Sequence, residues 1–143
     1  MLIEKSSTSY DQTREIGHYI AENLLRNHDF AALFGDLGAG KTALTTGIIE
    51  HFDPDACVAS PTYSIVNEYR VGEKTIYHCD FYRITDPGQL YSIGFYDYLE
   101  EGIIISEWSE NIADELPRDC LRITIKKDAS DENKRYITVE RED

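Results

Sequence analysis

Residues Gly35-Asp36-Leu37-Gly38-Ala39-Gly40-Lys41-Thr42 spell G-x-x-x-x-G-K-T. The string follows the apolar run Phe30-Ala31-Ala32-Leu33-Phe34 and opens a segment of helical pattern. Strand, glycine loop and helix, in that order, make a cradle of exposed backbone N–H groups that ends on a helix N-terminus. Such a cradle takes a polyphosphate. Glycines at 35, 38 and 40 let the backbone wrap closely around it. Lys41 is expected to reach the β- and γ-phosphates as a point charge, and the Thr42 hydroxyl to bind Mg²⁺. A tight Gly-rich turn with a solvated lysine also fits the eight letters, but it does not need the flanking strand and helix.

A phosphate loop of this kind needs an acid for its cation, usually at the end of a neighbouring strand. Two stretches offer one. Ile103-Ile104-Ile105-Ser106-Glu107 is an apolar strand ending in a carboxylate, and Tyr77-His78-Cys79-Asp80 ends the same way. A carboxylate emerging from a buried strand is costly unless a cation or donor compensates it. Glu107 is therefore read as a metal-shell or water-orienting group, or else as a cap on the following helix. Asp80 is read as a second site acid, or as a salt-bridge partner of Arg83. His78 is either a hydrogen-bonding partner in the site or a structural histidine. Arg83 fits transferred-phosphate stabilisation and a structural role with Asp80 or Asp86 equally well. Ser60-Pro61-Thr62 offers hydroxyls to a γ-phosphate, as switch loops do, or is an ordinary proline turn. The lone Trp108, beside Glu107, closes over the site or packs in the core.

The elements that must hold these groups follow from periodicity. Residues 2–5 suit a short edge strand. Residues 11–26 carry Ile16, Tyr19, Ile20, Leu24 and Leu25 at helical spacing, with Ser9 or Asp11 as cap. A strand over 30–34 feeds the loop, and a helix over 41–52 ends at Asp53-Pro54. Ala56-Cys57-Val58-Ala59 reads as a short central strand. Segments 63–69 and 75–81, rich in β-branched and aromatic residues, flank Val71-Gly72-Glu73-Lys74 and predict an antiparallel hairpin. One or two short helices follow over 86–99, broken at Gly88 and Gly94 and stopped at Gly102. Residues 103–105 form a buried strand, and a short helix over 112–116 stops at Pro117. Segments 121–126 and 135–139 alternate around a polar turn and make a second hairpin. The expected class is α/β: a P-loop NTPase-like mixed sheet flanked by helices, with antiparallel hairpins, in a single domain over 1–143.

Composition sets limits. The 143 residues suit one domain, and no apolar run approaches the length that spans a membrane. The N-terminus has no signal-peptide core. Cys57, Cys79 and Cys120 are odd in number and lack a C-x-x-C, so they read as reduced, buried thiols of a cytoplasmic protein. Net charge is −13, from 14 basic and 27 acidic residues, with no basic stripe. Tight nucleic-acid binding by this chain alone is therefore not expected. Plain solubility explains the acidity as well.

Four motifs in order carry a resemblance: the phosphate loop, Ser60-Pro61-Thr62-Tyr63, His78-Cys79-Asp80-Phe81-Tyr82-Arg83, and Glu107-Trp108. Together they resemble the bacterial TsaE family, the small ATPases of tRNA threonylcarbamoyladenosine biosynthesis, over about residues 13–139. The resemblance implies ATP and Mg²⁺ as cofactors and slow hydrolysis by the chain alone. It also implies two partner proteins that install threonylcarbamoyl on adenosine 37 of certain tRNAs. It carries phosphate binding to Asp36, Leu37, Gly38, Ala39, Gly40, Lys41 and Thr42, and Mg²⁺ to Thr42 and Glu107. Asp80 matches an acid needed for turnover, and Lys41, Asp80 and Glu107 form the catalytic set. Thr13 matches a threonine near the base, with Arg135 the weakest match. Ser106 departs from the apolar residue usual there, a change expected to matter little at a strand end near solvent.

The competing class is a small P-loop kinase acting on a metabolite hydroxyl. Kinases usually carry an arginine-bearing lid that excludes water. Between the loop and Glu107 this chain has only Arg70 and Arg83, and no obvious lid insertion. No N-K-x-D string marks a GTPase. A nucleotide-sensing switch without useful turnover is the third option.

Overall fold

The computed structural model describes residues 1–36, 38–59, 66–86 and 88–142. Among them, seven strands form one mixed sheet in the order β1-β7-β6-β2-β5-β4-β3. The strands are β1 (Leu2–Ser7), β2 (Phe30–Phe34), β3 (Val66–Val71), β4 (Lys74–Asp80), β5 (Ile103–Glu107), β6 (Leu121–Lys127) and β7 (Arg135–Glu140). The central run β6-β2-β5-β4 is parallel. Antiparallel pairs close both sides, β3 on β4 and the β1-β7-β6 set. Both expected hairpins are present, and so is the N-terminal edge strand.

Period-two alternation sorts the strands' side chains to two faces. Ala31, Leu33, Ile76, Ile103, Ile105, Ile123 and Ile125 face α1 (Tyr10–Asn23) and α2 (Lys41–Phe52). Phe30, Ala32, Tyr77, Cys79, Phe81 and Ile104 face the other way. There they meet α3 (Gln89–Ser92), α4 (Phe95–Glu101) and a 3-10 segment, Ser109–Glu115. Gly94, at φ 78°, separates α3 from α4. Ser9 caps α1 by accepting from the Gln12 amide.

Two glycines set how α1 and α2 cross. A Cβ on Gly47 would lie 1.9 Å from the Arg14 carbonyl oxygen, and one on Gly17 would lie 2.3 Å from that of Leu44. Glycine inside a helix costs up to about 1 kcal/mol against alanine. Each buried Ile or Leu returns about 1.5–3 kcal/mol. Ile16, Ile20, Leu44, Ile48 and Ile49 are all buried here, so close packing wins.

Two expectations fail. Ala56-Cys57-Val58-Ala59 is not a strand. The slots beside β2 are taken by β6 and β5, and those beside β5 by β2 and β4, leaving no central position to join. The segment runs along the surface instead, its Ala59 carbonyl accepting from Asn67 Nδ2 at 3.0 Å. Cys57, read as buried, is consequently exposed, while Cys79 and Cys120 are buried.

Candidate functional site

Because β6, β2, β5 and β4 run parallel, their carboxyl ends share one edge of the sheet. That edge carries the loop after β2, Glu107 on β5, Asp80 on β4 and Lys127 on β6. This is where ligands of open α/β sheets bind. The helix α2 begins there, at Gly40, whose φ of 108° suits glycine. Among the described residues no side chain caps its N-terminus, and its first turn carries no acid. The leading amides are therefore open to an outside anion.

Lys41 is 6% exposed, and its Nζ donates to the Gly35 carbonyl at 2.7 Å. The same ammonium lies 4.1 Å from the centre of the Trp108 ring. A buried cation thus sits on neutral partners, a carbonyl and an aromatic face. Trp108 takes a left-handed conformation, φ 57°, and meets the exposed Tyr82 ring at 4.9 Å. It therefore roofs the lysine while remaining half-buried. Asp36 is exposed and its carbonyl accepts from Ala39 N–H at 3.0 Å; Gly38 and Thr42 are exposed, Ala39 buried and Gly40 half-buried.

Asp80 and Glu107 lie in register on neighbouring strands. Their side chains belong to the face that carries Ile76, Ile103 and Ile105, the side on which α2 packs. Glu107 is 5% exposed, and its Oε2 meets Nε2 of the fully buried His78 at 2.6 Å. A buried carboxylate costs several kcal/mol, whereas one charge-assisted hydrogen bond returns about 1.5–3 kcal/mol. Among the described residues no hydrogen bond reaches Oε1. The pair thus leaves one acceptor oxygen for a cation or its water. Asp80 is half-buried and accepts from the Tyr82 amide at 3.0 Å. Cys79, between His78 and Asp80 in sequence, faces the opposite core, where burial pushes its thiol well above the usual range. Among the described residues no group of three or more His, Cys, Asp or Glu side chains gathers as a metal cage. The oxygen donors of Thr42 and Glu107 are of the kind a hard cation such as Mg²⁺ takes.

The other wall comes from α1 and the β6–β7 hairpin. A cleft of about 300 Å³ beside Gly38 and Gly40 is lined by Tyr10, Thr13, Asn133 and Arg135. Thr13 is buried, and its hydroxyl donates to the Ser9 carbonyl and meets Ser7 Oγ at 2.7 Å. Its methyl lies 3.8 Å from where a Gly40 Cβ would stand. Arg135 braces the loop, its Nε donating to the Ala39 carbonyl at 2.9 Å. Lys127 Nζ comes within 3.9 Å of a Cβ built on Gly38. Sequence reasoning missed Lys127, because alternation showed a hairpin but not that β6 pairs with β2. It also missed Glu110, whose Oε2 accepts from the Gly35 amide at 3.4 Å.

Leu37 and Ser60-Pro61-Thr62-Tyr63 lie outside the described residues. Arg83 is exposed and pairs with neither acid; Asp80 takes the Tyr82 amide and Asp86 the Gly88 amide. Ser106, expected near solvent, is fully buried and meets Ser109 Oγ at 2.6 Å. The polar residue is accommodated because Ser109 also donates back to the Ser106 carbonyl at 3.1 Å.

Comparison with known proteins agrees with this architecture. The crystal structure of Bacillus subtilis YdiB is similar at a TM-score of 0.73 and 29% identity, covering 97% of this chain and 84% of that one. The tRNA threonylcarbamoyladenosine biosynthesis protein TsaE of Haemophilus influenzae is 41% identical over 114 residues, which is 76% of this chain and 72% of the relative. That of Bacillus subtilis is 38% identical over 111 residues, 77% of this chain and 69% of the relative. That of Rickettsia felis is 35% identical over 130 residues, 90% and 74% respectively. The family model for the threonylcarbamoyl adenosine biosynthesis protein TsaE matches residues 7–137. On the family model and these relatives, the chain belongs to the TsaE family.

Proposed function

We propose that the chain is the ATP-binding subunit of tRNA threonylcarbamoyladenosine biosynthesis, a single cytoplasmic domain that hydrolyses ATP slowly alone. It turns over faster when docked on two partner proteins that modify adenosine 37 of tRNA. The observation that carries this reading is Lys41, a buried ammonium held, among the described residues, by the Gly35 carbonyl and the Trp108 ring beside a helix N-terminus that none of them caps. Lys41 exchanges these neutral partners for the β- and γ-phosphate oxygens of ATP. The amides of 36–42 hold the phosphates, and Thr13 and Arg135 flank the side on which the nucleoside lies. Thr42 and Glu107 hold Mg²⁺, which when bound neutralises charge on the phosphate oxygens. Asp80 or Glu107 orients a water in line with the γ-phosphate, and Lys41 stabilises the charge that develops. At net charge −13 the chain contributes no tRNA grip of its own.

The test is phosphate release from Mg²⁺-ATP by the chain alone and with the two partner proteins. Slow release alone and a clear rise with both partners is expected. Transfer of the phosphate to a metabolite hydroxyl, with no effect of the partners, points instead to the kinase reading. Tight tRNA binding by the isolated chain at low salt contradicts the partner-mediated role.

A further inference from the structure

We propose that His78 is a positioning residue for Glu107, fixing which oxygen of that carboxylate serves the nucleotide-bound cation. The inference rests on the Mg²⁺-ATP reading above and adds a residue to it. His78 lies on β4 opposite Ile105, and Glu107 lies two residues further along β5, so the two side chains share a face. Their contact of 2.6 Å is made wholly out of water, with His78 at 0% and Glu107 at 5% exposure.

The tautomer follows from chemistry. An ionised carboxylate only accepts, so Nε2 carries the hydrogen. The other ring nitrogen, Nδ1, is buried and has no hydrogen-bond partner among the described residues. A buried ring nitrogen without a partner calls for an explanation, and the single strong bond at Nε2 supplies one. That bond occupies Oε2 and stops the carboxylate from rotating. Oε1 alone is then left to serve a ligand at the carboxyl edge of the sheet, where Glu107 ends β5. Outer-shell partners that orient a metal-binding carboxylate act in this way.

Gln places a donor where Nε2 stands, Asn places one nearer Nδ1, and Leu removes it. The comparison is therefore His78→Gln, His78→Asn and His78→Leu, with Glu107→Gln as reference and folding followed by thermal melts. The first readout is nucleotide affinity with and without Mg²⁺, reported by the lone Trp108. The second is the split between kcat and KM. For His78→Leu and His78→Asn we expect the Mg²⁺ needed for half-maximal nucleotide binding to rise about tenfold or more, and kcat to fall within the 10–100-fold range of outer-shell losses. Affinity for nucleotide without Mg²⁺ stays unchanged. His78→Gln restores both to within about threefold.

Equal behaviour of Gln and Asn overturns the proposal, and that pair decides the matter even if His78→Leu does not fold. An unchanged Mg²⁺ dependence in His78→Asn overturns it as well, as does a matching loss of Mg²⁺-free affinity. If Glu107→Gln itself leaves Mg²⁺ dependence untouched, the assignment of Glu107 fails, and the inference about His78 falls with it. If Glu107→Gln has its effect and His78→Asn has none, only the inference about His78 fails.

Discussion

Gly47→Ala tests the helix crossing that places Thr13 against the phosphate loop. Propensity alone favours the change by up to about 1 kcal/mol. The added Cβ, however, meets the Arg14 carbonyl oxygen at 1.9 Å and its carbonyl carbon at 2.8 Å. Both are main-chain atoms, so no side chain can swing away. Restoring an ordinary contact of about 3.4 Å requires α1 and α2 to separate by roughly 1.5 Å. Overpacking of this kind costs about 1–3 kcal/mol, and more when backbone must move. We expect a net loss of about 1–2 kcal/mol and a melting temperature lower by about 3–8 °C. Arg14 is next to Thr13, so the same displacement opens the cleft beside Gly40 and weakens nucleotide binding. Gly88→Ala is the control: its φ is −59°, and the atoms nearest its Cβ belong to the Asp86 side chain, at 3.5 Å. Thermal melts and nucleotide titrations of both variants are the assay. If Gly47→Ala melts at or above the parent temperature, the close-approach argument is wrong.

Three further outcomes follow from the same packing. Arg141 donates from both terminal nitrogens to Asp29, at 2.9 and 2.6 Å, and also to the Leu24 and Asp119 carbonyls. Arg141→Met leaves Asp29 buried with only the Arg26 and Phe30 amides. Chemical denaturation should show a loss of about 3 kcal/mol, the low end for a broken buried pair. Tyr77 is pushed up to about 12 by burial and by its hydrogen bond to Glu101. Its folded pKa exceeds the unfolded value, so the protonated form stabilises the fold below about pH 10 and that stability is lost as pH rises toward 12. Tyr77→Phe should flatten this part of the alkaline stability curve, and an unchanged slope counts against it. A thiol reagent on the folded protein should label Cys57 quickly and Cys79 and Cys120 slowly, since both buried thiols are shifted up by desolvation.

The strand–loop–helix unit was legible because local pattern determines it: an apolar run, glycines and then a helical face. The two hairpins were legible for the same reason, and α2 spans the residues read from the sequence. What escaped depends on sheet order, which no local window contains. Ala56-Cys57-Val58-Ala59 is as apolar as a strand, but the centre of the sheet has no vacancy for it. Lys127 reaches the loop only because β6 lies beside β2. Ser106 reads as a strand end near solvent, yet the segment Ser109–Glu115 folds over it. Glu107 and Asp80 were legible as strand-end acids. His78 was left between a site role and a structural one, because only the parallel register of β4 on β5 brings its ring to Glu107.

The central claim is that Lys41 waits on Gly35 and Trp108 for a triphosphate. Titration of ATP into the parent and into Lys41→Ala, read by Trp108 emission, tests it most directly. The account predicts that the parent shows a saturable change in emission as the ammonium leaves the ring. It predicts that Lys41→Ala loses at least about tenfold in affinity, the loss of one charge-assisted contact of about 1.5–3 kcal/mol. Equal affinity in the two proteins would contradict it.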